Sequence, residues 1–322
     1  MARIRELAIP PAWSEVWICP DPRGHLQATG IDAAGRKQYL YHPVWRELRD
    51  RQKFRQMEEF ADSLPRLRRQ VSRELEASSE IIRERVLAGA VRLLDLGLFR
   101  IGGEEYAEQG GGLGLATLRR EHVALRDGTA TFDYPGKSGV RRLHTLSDPD
   151  CMEILAQLKR RRGGSEPLLS YRQGRRWHPI RSDDINDYIK EHLGAEFSAK
   201  DFRTWNATVL AAADLAAKAH TASSKTARKR LMSAVARDVA DVLGNTAAVA
   251  RRAYIDPRVF DRYLAGYTIK EALVGGELGR FDERGEQRRR RVERAVLDLL
   301  ADNRESPAVE PLKPGNSVRV TR

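Results

Sequence analysis

Two hydrophobic periods share this chain, and they change over at Pro43. Across residues 9–42 the sequence runs in short β-like stretches, VWICP, HLQATGID and AAGRKQYLYH, parted by turn residues such as DPRG. From Pro43 it becomes charged and helical, VWRELRDRQKFRQMEEFADSL, with Pro65 as a break. Residues 66–98 then read as helix, with Ile81, Ile82, Val86, Leu87, Ala90, Leu93 and Leu94 as an apolar stripe. The period of two returns in HVALRD, GTATFDY and GVRRLHTL, joined by Asp127-Gly128 and PGKSG, which is the pattern of a three-stranded antiparallel meander. The chain therefore reads as α+β: a small antiparallel β-rich N-terminal domain, residues 1–57, and a larger, mainly α domain, residues 58–322, carrying the three-stranded antiparallel sheet. The proline- and charge-rich tail from Asn303 reads as disordered.

A formal charge of +12 over 322 residues points to a polyanionic partner without saying which. Cys19 and Cys151 stand far apart, with neither metal-ligand nor redox spacing, so a reducing compartment is the simple expectation. The start, MARIRELAIPPAW, lacks the apolar core of a signal peptide, and no run approaches the roughly 18 apolar residues of a membrane helix. A soluble, cytoplasmic protein is expected.

Several side chains stand where a ligand could meet them. The strand at residues 36–41 puts Lys37, Tyr39 and Tyr41 on one face and Gln38 on the other, a set suited to lying along a groove and equally ordinary for a strand. Arg100 leaves the apolar helix in GLFRIGG, placed to cap that helix or to meet a phosphate. The cluster QGGGLGLATL has no GK[ST] at Walker spacing and reads as a flexible linker or lid. Lys137 occupies the PGKSG hairpin tip, either solvated or pushed toward DNA. Ser182 is placed to cap SDDINDYIKEHLG, and Asp183, Asp184 and Asp187 fit a helix N-terminal turn better than a metal site. KDFRTWNATVLAAADLAA opens an alanine-rich helix with Lys200 and Arg203 at its start. In AVARDVADVLGNTAAVARRAY, Gly244 stops one helix, Asn245 sits on the turn, Thr246 caps the next helix and Tyr254 follows a pair of arginines.

Taken in order, RKQYLY, GLFRIGGEEY, GLATLRREHV, DYPGKSG, KDFRTW, LGNT and RRAY resemble the type IB DNA topoisomerases, specifically the small bacterial members related to the poxvirus enzymes. The resemblance spans residues 36–254 and implies a bilobed clamp on duplex DNA that relaxes supercoils through a 3′-phosphotyrosine, without cofactor, metal or nucleotide. It implies Tyr254 as nucleophile, Arg100 and Arg203 on the non-bridging oxygens, Lys137 as acid for the leaving 5′-oxygen and Lys200 as a phosphate contact. Gln38, Tyr39, Tyr41 and Tyr106 match DNA-facing positions, and Lys37 belongs to the same strand. Asn245 departs from the poxvirus pattern, where histidine is usual. Asparagine keeps a hydrogen-bond donor and gives up proton transfer. Implied partners are duplex DNA and no membrane; the implied state is a nucleoid-associated monomer. A tyrosine recombinase or a non-catalytic DNA-binding protein are the alternatives. Lys200 where recombinases usually carry histidine, and the RKQYLY lobe, weigh against the first.

Overall fold

A computed structural model describes residues 2–108, 110–163, 166–273 and 283–312. The chain forms two compact units, Met1–Gln56 and Met57–Arg322.

The first unit opens on the short helix α1 (Ala2–Glu6), followed by the antiparallel strands β1 (Ser14–Ile18), β2 (Leu26–Ile31) and β3 (Lys37–Tyr41) in that spatial order. Trp17 and Tyr39 both stand opposite Thr29, so they share a face of the sheet with Tyr41 and Lys37. Along that face Tyr39 and Tyr41 stack at 6.2 Å, and Tyr41 stacks on Trp45 at 4.5 Å. Trp45 lies in the first turns of α2 (Pro43–Glu76), the helix that begins where the period changes.

Pro65 lies inside α2 and does not break it. A proline in a helix interior costs about 3 kcal/mol, but Met57, Phe60, Ala61, Leu64, Leu67, Val71 and Leu75 are all buried at helical spacing on both sides of it. Burial of that continuous stripe outweighs one missing hydrogen bond. The single helix expected over residues 66–98 is in fact two, α2 and α3 (Arg83–Gly97), with Ile81 and Ile82 in the connection. Helix α3 is buried on nearly every side and ends at Leu98 in the left-handed region (φ 56°), which turns the chain so that Arg100 leaves the core.

After the short helix α4 (Glu104–Glu108), the expected meander is present as β4 (Val123–Arg126), β5 (Thr129–Pro135) and β6 (Arg141–Leu146), paired in that order. The glycine cluster is no flexible linker over residues 110–114. Leu113 N donates to Pro135 O at 2.8 Å, and Leu115 N to Arg100 O at 2.8 Å. A Cβ on Gly112 would lie 2.1 Å from Gly136 O, and one on Gly114 would lie 2.4 Å from Gly102 N. Glycine is needed because backbones pack directly on one another, and the segment ties the residues after α3 to the end of β5.

Helix α5 (Pro149–Arg160) is capped by Asp148. Between α5 and the next helix lies a hairpin, β7 (Ser170–Gln173) and β8 (Arg176–Pro179). At α6 (Ser182–Leu193) the N-cap is Arg181, not Ser182, and its N–H donates to Asp184 Oδ2 at 2.9 Å. Ser182 instead meets Glu104 through its N–H (2.8 Å) and hydroxyl (2.9 Å). The alanine-rich α7 (Ala199–Lys218) is the central helix, packed against α3, α6, α8 (Lys225–Leu243) and α10 (Pro257–Leu264). Between α8 and α10 lies α9 (Ala247–Ala253). Helix α11 (Glu283–Leu300) closes the unit with a buried ionic cluster: Arg68 and Arg289 each reach both Asp95 and Glu293. The tail is ordered from 303 to 312, with Ser306 and Val309 buried and β10 (Glu310–Pro311) paired to β9 (Tyr267–Thr268). The rest of the expected disordered tail, residues 313–322, lies outside the described residues.

Candidate active site

The site is built on the C-terminus of α8. The last carbonyls of a helix have no intrahelical donor and carry the negative end of its dipole, and here three arginines from three separate elements occupy them. Arg142, on β6, donates to Asp241 O (3.2 Å) and Val242 O; Arg203, on α7, donates to Leu243 O at 2.9 Å; Arg100, after α3, donates to Gly244 O at 3.0 Å. Gly244, in the left-handed region at φ 63°, ends the helix. These carbonyls hold three cations together in one place, where they would otherwise repel.

Arg100 Nη2 also donates to Asn245 Oδ1 at 2.6 Å. That bond orients the carboxamide, and its Nδ2 group is buried without a hydrogen-bond partner among the described residues. Arg203 is 4% exposed, also donates to Leu98 O, and sets its guanidinium carbon 5.4 Å from the Tyr254 ring centroid. Burial brings its pKa down to about 10, partly offset by Tyr254, so it stays charged at neutral pH. Tyr254 ends α9, with its N–H on Ala250 O at 3.0 Å. Burial alone would raise its pKa; the charges of Arg203, Arg100 and Lys200 outweigh burial and hold the phenol below its ordinary value. From α7, Thr208 Oγ1 accepts the Asp256 N–H at 3.1 Å and lies 3.3 Å from Tyr254 O, holding the chain just after Tyr254 against that helix.

Lys137 is exposed on the β5–β6 turn, where Ser138 has φ 61°. It lines one small concavity together with Arg100, Arg203, Arg142, His144 and Gly244. Lys200 is exposed in the first turn of α7, near enough to Tyr254 to act on its titration. The structure thus gathers Arg100, Lys137, Lys200, Arg203, Asn245 and Tyr254 around the α8 terminus. Tyr106 lies in α4, and its side chain is outside the described residues. In the first unit, Lys37 and Tyr39 are exposed, while Gln38 Nε2 is engaged with Asp32 Oδ2 at 2.9 Å. Among the described residues no group of three or more His, Cys, Asp or Glu side chains could hold a metal ion, and Asp184 and Asp187 pair instead with Arg83 and Lys190.

Residues not singled out from sequence also belong here. Arg142 stands opposite Tyr134, and His144 opposite Phe132, so strand alternation puts both on the face turned toward Phe99. Burial, with Arg142 and Arg203 adding to it, lowers His144 to about 4 and keeps it neutral. Burial likewise raises Tyr134 to about 12. Alternation in GVRRLHTL was the available signal. In the first unit Trp17, 47% exposed on the same sheet face as Tyr39 with Thr29 between them, was equally available from VWICP.

Residues 42–275 match the model of the catalytic core of eukaryotic DNA topoisomerase I, and residues 1–32 match that of the bacterial DNA topoisomerase IB N-terminal domain. The chain belongs to the type IB DNA topoisomerase family. It is similar to the DNA topoisomerase 1B of Acanthamoeba polyphaga mimivirus, 31% identical over 79% of this chain and 76% of that one. It is also similar to DNA topoisomerase 1 of Schizosaccharomyces pombe (28% identical) and of Mycosarcoma maydis (24%), matches that cover 19% and 17% of those longer proteins. A type IB topoisomerase is an isomerase acting on DNA, which accounts for the +12 charge. No helix among the described residues is long and apolar enough to cross a membrane.

Proposed function

We propose that this topoisomerase cleaves one strand of duplex DNA with Tyr254, and the observation that carries the reading is the Arg203 guanidinium 5.4 Å from the Tyr254 ring at the arginine-bound end of α8. The phenol gives its proton to solvent water, its oxygen attacks phosphorus, and the P–O bond to tyrosine forms as the P–O5′ bond breaks in line. Arg100 and Arg203 hold the non-bridging oxygens and neutralise the charge that spreads over them. The Asn245 Nδ2 group donates to one of those oxygens. Lys137 gives its proton to the departing 5′-oxygen, so the products are a 3′-phosphotyrosine and a 5′-hydroxyl. Lys200 adds a phosphate contact. Resealing is the reverse, and because one phosphodiester is exchanged for another, rotation and religation need no nucleotide.

In this reading residues 1–57 and 58–322 are the two lobes of a clamp. Lys37, Gln38, Tyr39 and Tyr41 contact DNA from the first lobe and Tyr106 from the second, and the enzyme works as a monomer on nucleoid DNA. Supercoiled plasmid incubated with the protein in EDTA without ATP should relax, and denaturation during the reaction should trap a covalent adduct. Tyr254→Phe should lose both while still retarding DNA in a gel. An adduct formed by the phenylalanine variant would overturn the assignment.

A further inference from the structure

The side chain of Arg142 runs between two glycines, each of which directly precedes a residue of the site. A Cβ on Gly136, before Lys137, would lie 2.5 Å from Arg142 Cγ; a Cβ on Gly244, before Asn245, would lie 2.4 Å from Arg142 Nη1. Neither position has room for any other residue while Arg142 lies there. The stem therefore packs on the hairpin that carries Lys137. The head binds the end of α8 through Asp241 O and Val242 O.

The hairpin's own bonds, Gly136 N to Val140 O (2.9 Å) and Gly139 N to Gly136 O (3.0 Å), set the shape of the turn. They do not set where the turn stands relative to α8. Lys137 is exposed on a long flexible stem, and a proton donor must come within hydrogen-bond reach of its acceptor; displacement by about 1 Å can cost on the order of a hundredfold in rate. The 110–114 segment ties the end of β5 to the chain at Arg100, but it does not reach α8, which carries Asn245 at its end, so a second tie is needed there. Arg142 supplies it, because its two carbonyl acceptors are consecutive with the two held by Arg203 and Arg100. A guanidinium is suited to this docking because its rigid planar fork presents separate nitrogens to two adjacent carbonyls, Nη1 to Asp241 O and Nη2 to Val242 O.

We infer that Arg142 is a positioning residue for Lys137, docking the β5–β6 hairpin on the C-terminus of α8 so that the lysine reaches the leaving 5′-oxygen. The inference rests on the reading of Lys137 as the proton donor, and the test separates the two. Single-turnover cleavage is measured on duplexes carrying either oxygen or sulfur at the 5′ bridging position of the scissile phosphate, for the wild type, Lys137→Ala, Arg142→Ala and Arg142→Lys. A thiolate leaves without needing a proton, so a defect in proton delivery shrinks on sulfur, whereas a general loosening of the site slows both substrates alike. Arg142→Ala should slow the oxygen substrate by about tenfold to a hundredfold, with a defect at least roughly tenfold smaller on sulfur. Arg142→Lys, keeping the charge but not the planar fork, should fall between, and its oxygen-to-sulfur ratio decides the question should the alanine variant fail to fold. Rescue of Lys137→Ala but not of the Arg142 variants would overturn the role of Arg142 alone. Absence of rescue in Lys137→Ala would overturn the reading of Lys137, and the inference with it.

Discussion

Arg100 Nη2 donates to Asn245 Oδ1 at 2.6 Å, and the same nitrogen reaches Gly244 O, so one guanidinium fixes both the turn and the carboxamide at its tip. The consequence lies on the other side of the amide. Arg100 dictates that the oxygen faces inward, which leaves Nδ2 as a buried donor with no partner among the described residues. A buried donor without a partner costs about 1–3 kcal/mol, and in the proposed mechanism a phosphate oxygen satisfies it. Asn245→Ala should slow single-turnover cleavage by roughly 10² to 10³, the range for losing one oxyanion donor. Asn245→Asp keeps the acceptor for Arg100 but has no N–H, so it should be at least as slow as alanine. An aspartate variant near the wild-type rate would show that Nδ2 is not the working atom.

The phenol of Tyr254 titrates below its ordinary value although burial opposes this, because Arg203, Arg100 and Lys200 favour the phenolate. In the proposed reaction the rate rises with pH as the phenol loses its proton and levels off above its pKa. Removing one of those charges moves the pKa up, so the rising limb should move to higher pH in Lys200→Ala. Lys200 is exposed in the first turn of α7, so added salt should shrink the difference. Cleavage rate against pH, supported by an ultraviolet titration with Tyr254→Phe subtracted, measures the shift. A limb in the same place in both proteins would mean that Lys200 does not act on the nucleophile.

Arg100, Lys137, Lys200, Arg203, Asn245 and Tyr254 were legible in the sequence because each sits in a short ordered motif. What unites them was not. The bonds that assemble the α8 terminus join residues 145 apart (Arg100 to Asn245), 99 apart (Arg142 to Asp241) and 40 apart (Arg203 to Leu243), and no local period encodes such pairings. The glycine-rich residues 110–114 read as a linker for a related reason. Composition reports that a Cβ is missing, and only the fold reports that Gly112 needs that space against Gly136. The tail at 303–312 looks too polar to order, yet it contributes Val309 to the core and pairs a strand. At Pro65 the local rule is correct about cost, and the buried stripe through Leu64 and Leu67 outweighs it.

The cluster of Arg68, Arg289, Asp95 and Glu293 connects α2, α3 and α11, and Trp205 Nε1 on α7 reaches Glu293 Oε1 at 3.4 Å. Asp95→Ala leaves the buried Arg68 and the part-buried Arg289 short of their partner and should cost about 3–5 kcal/mol of stability. Burial alone would raise both carboxyls, but for Asp95 Arg289 and Arg68, and for Glu293 Arg68 and Arg289, hold the pKa below the ordinary value. A carboxyl whose folded pKa is depressed stabilises the fold above its unfolded pKa, and that stability is lost as pH falls through the folded value. The urea midpoint should therefore be flat from about pH 5 to 8 and fall below about pH 4. Asp95→Ala should start lower and show a shallower acid fall.

Thr208 is buried two turns beyond Lys200 on α7, and its hydroxyl accepts the Asp256 N–H at 3.1 Å while lying 3.0 Å from Thr204 O and 3.3 Å from Tyr254 O. With one hydrogen to give, it donates to one of those carbonyls at a time. Either way it ties Asp256 to the helix that carries Arg203, and when it donates to Tyr254 O it joins the chain on both sides of Ile255. Thr208→Val preserves volume and removes the hydroxyl, leaving the Asp256 N–H without an acceptor, so stability should fall by about 1–3 kcal/mol. Cleavage should fall further than stability predicts, because a nucleophile displaced by a fraction of an ångström is no longer aligned with the leaving oxygen. Thr208→Ser should recover most of the rate, since it restores the hydroxyl. DNA affinity should not change in either variant, because Thr208 is buried and phosphate contacts dominate binding. Equal single-turnover rates for valine and serine at matched folded fraction would place Thr208 among ordinary core residues.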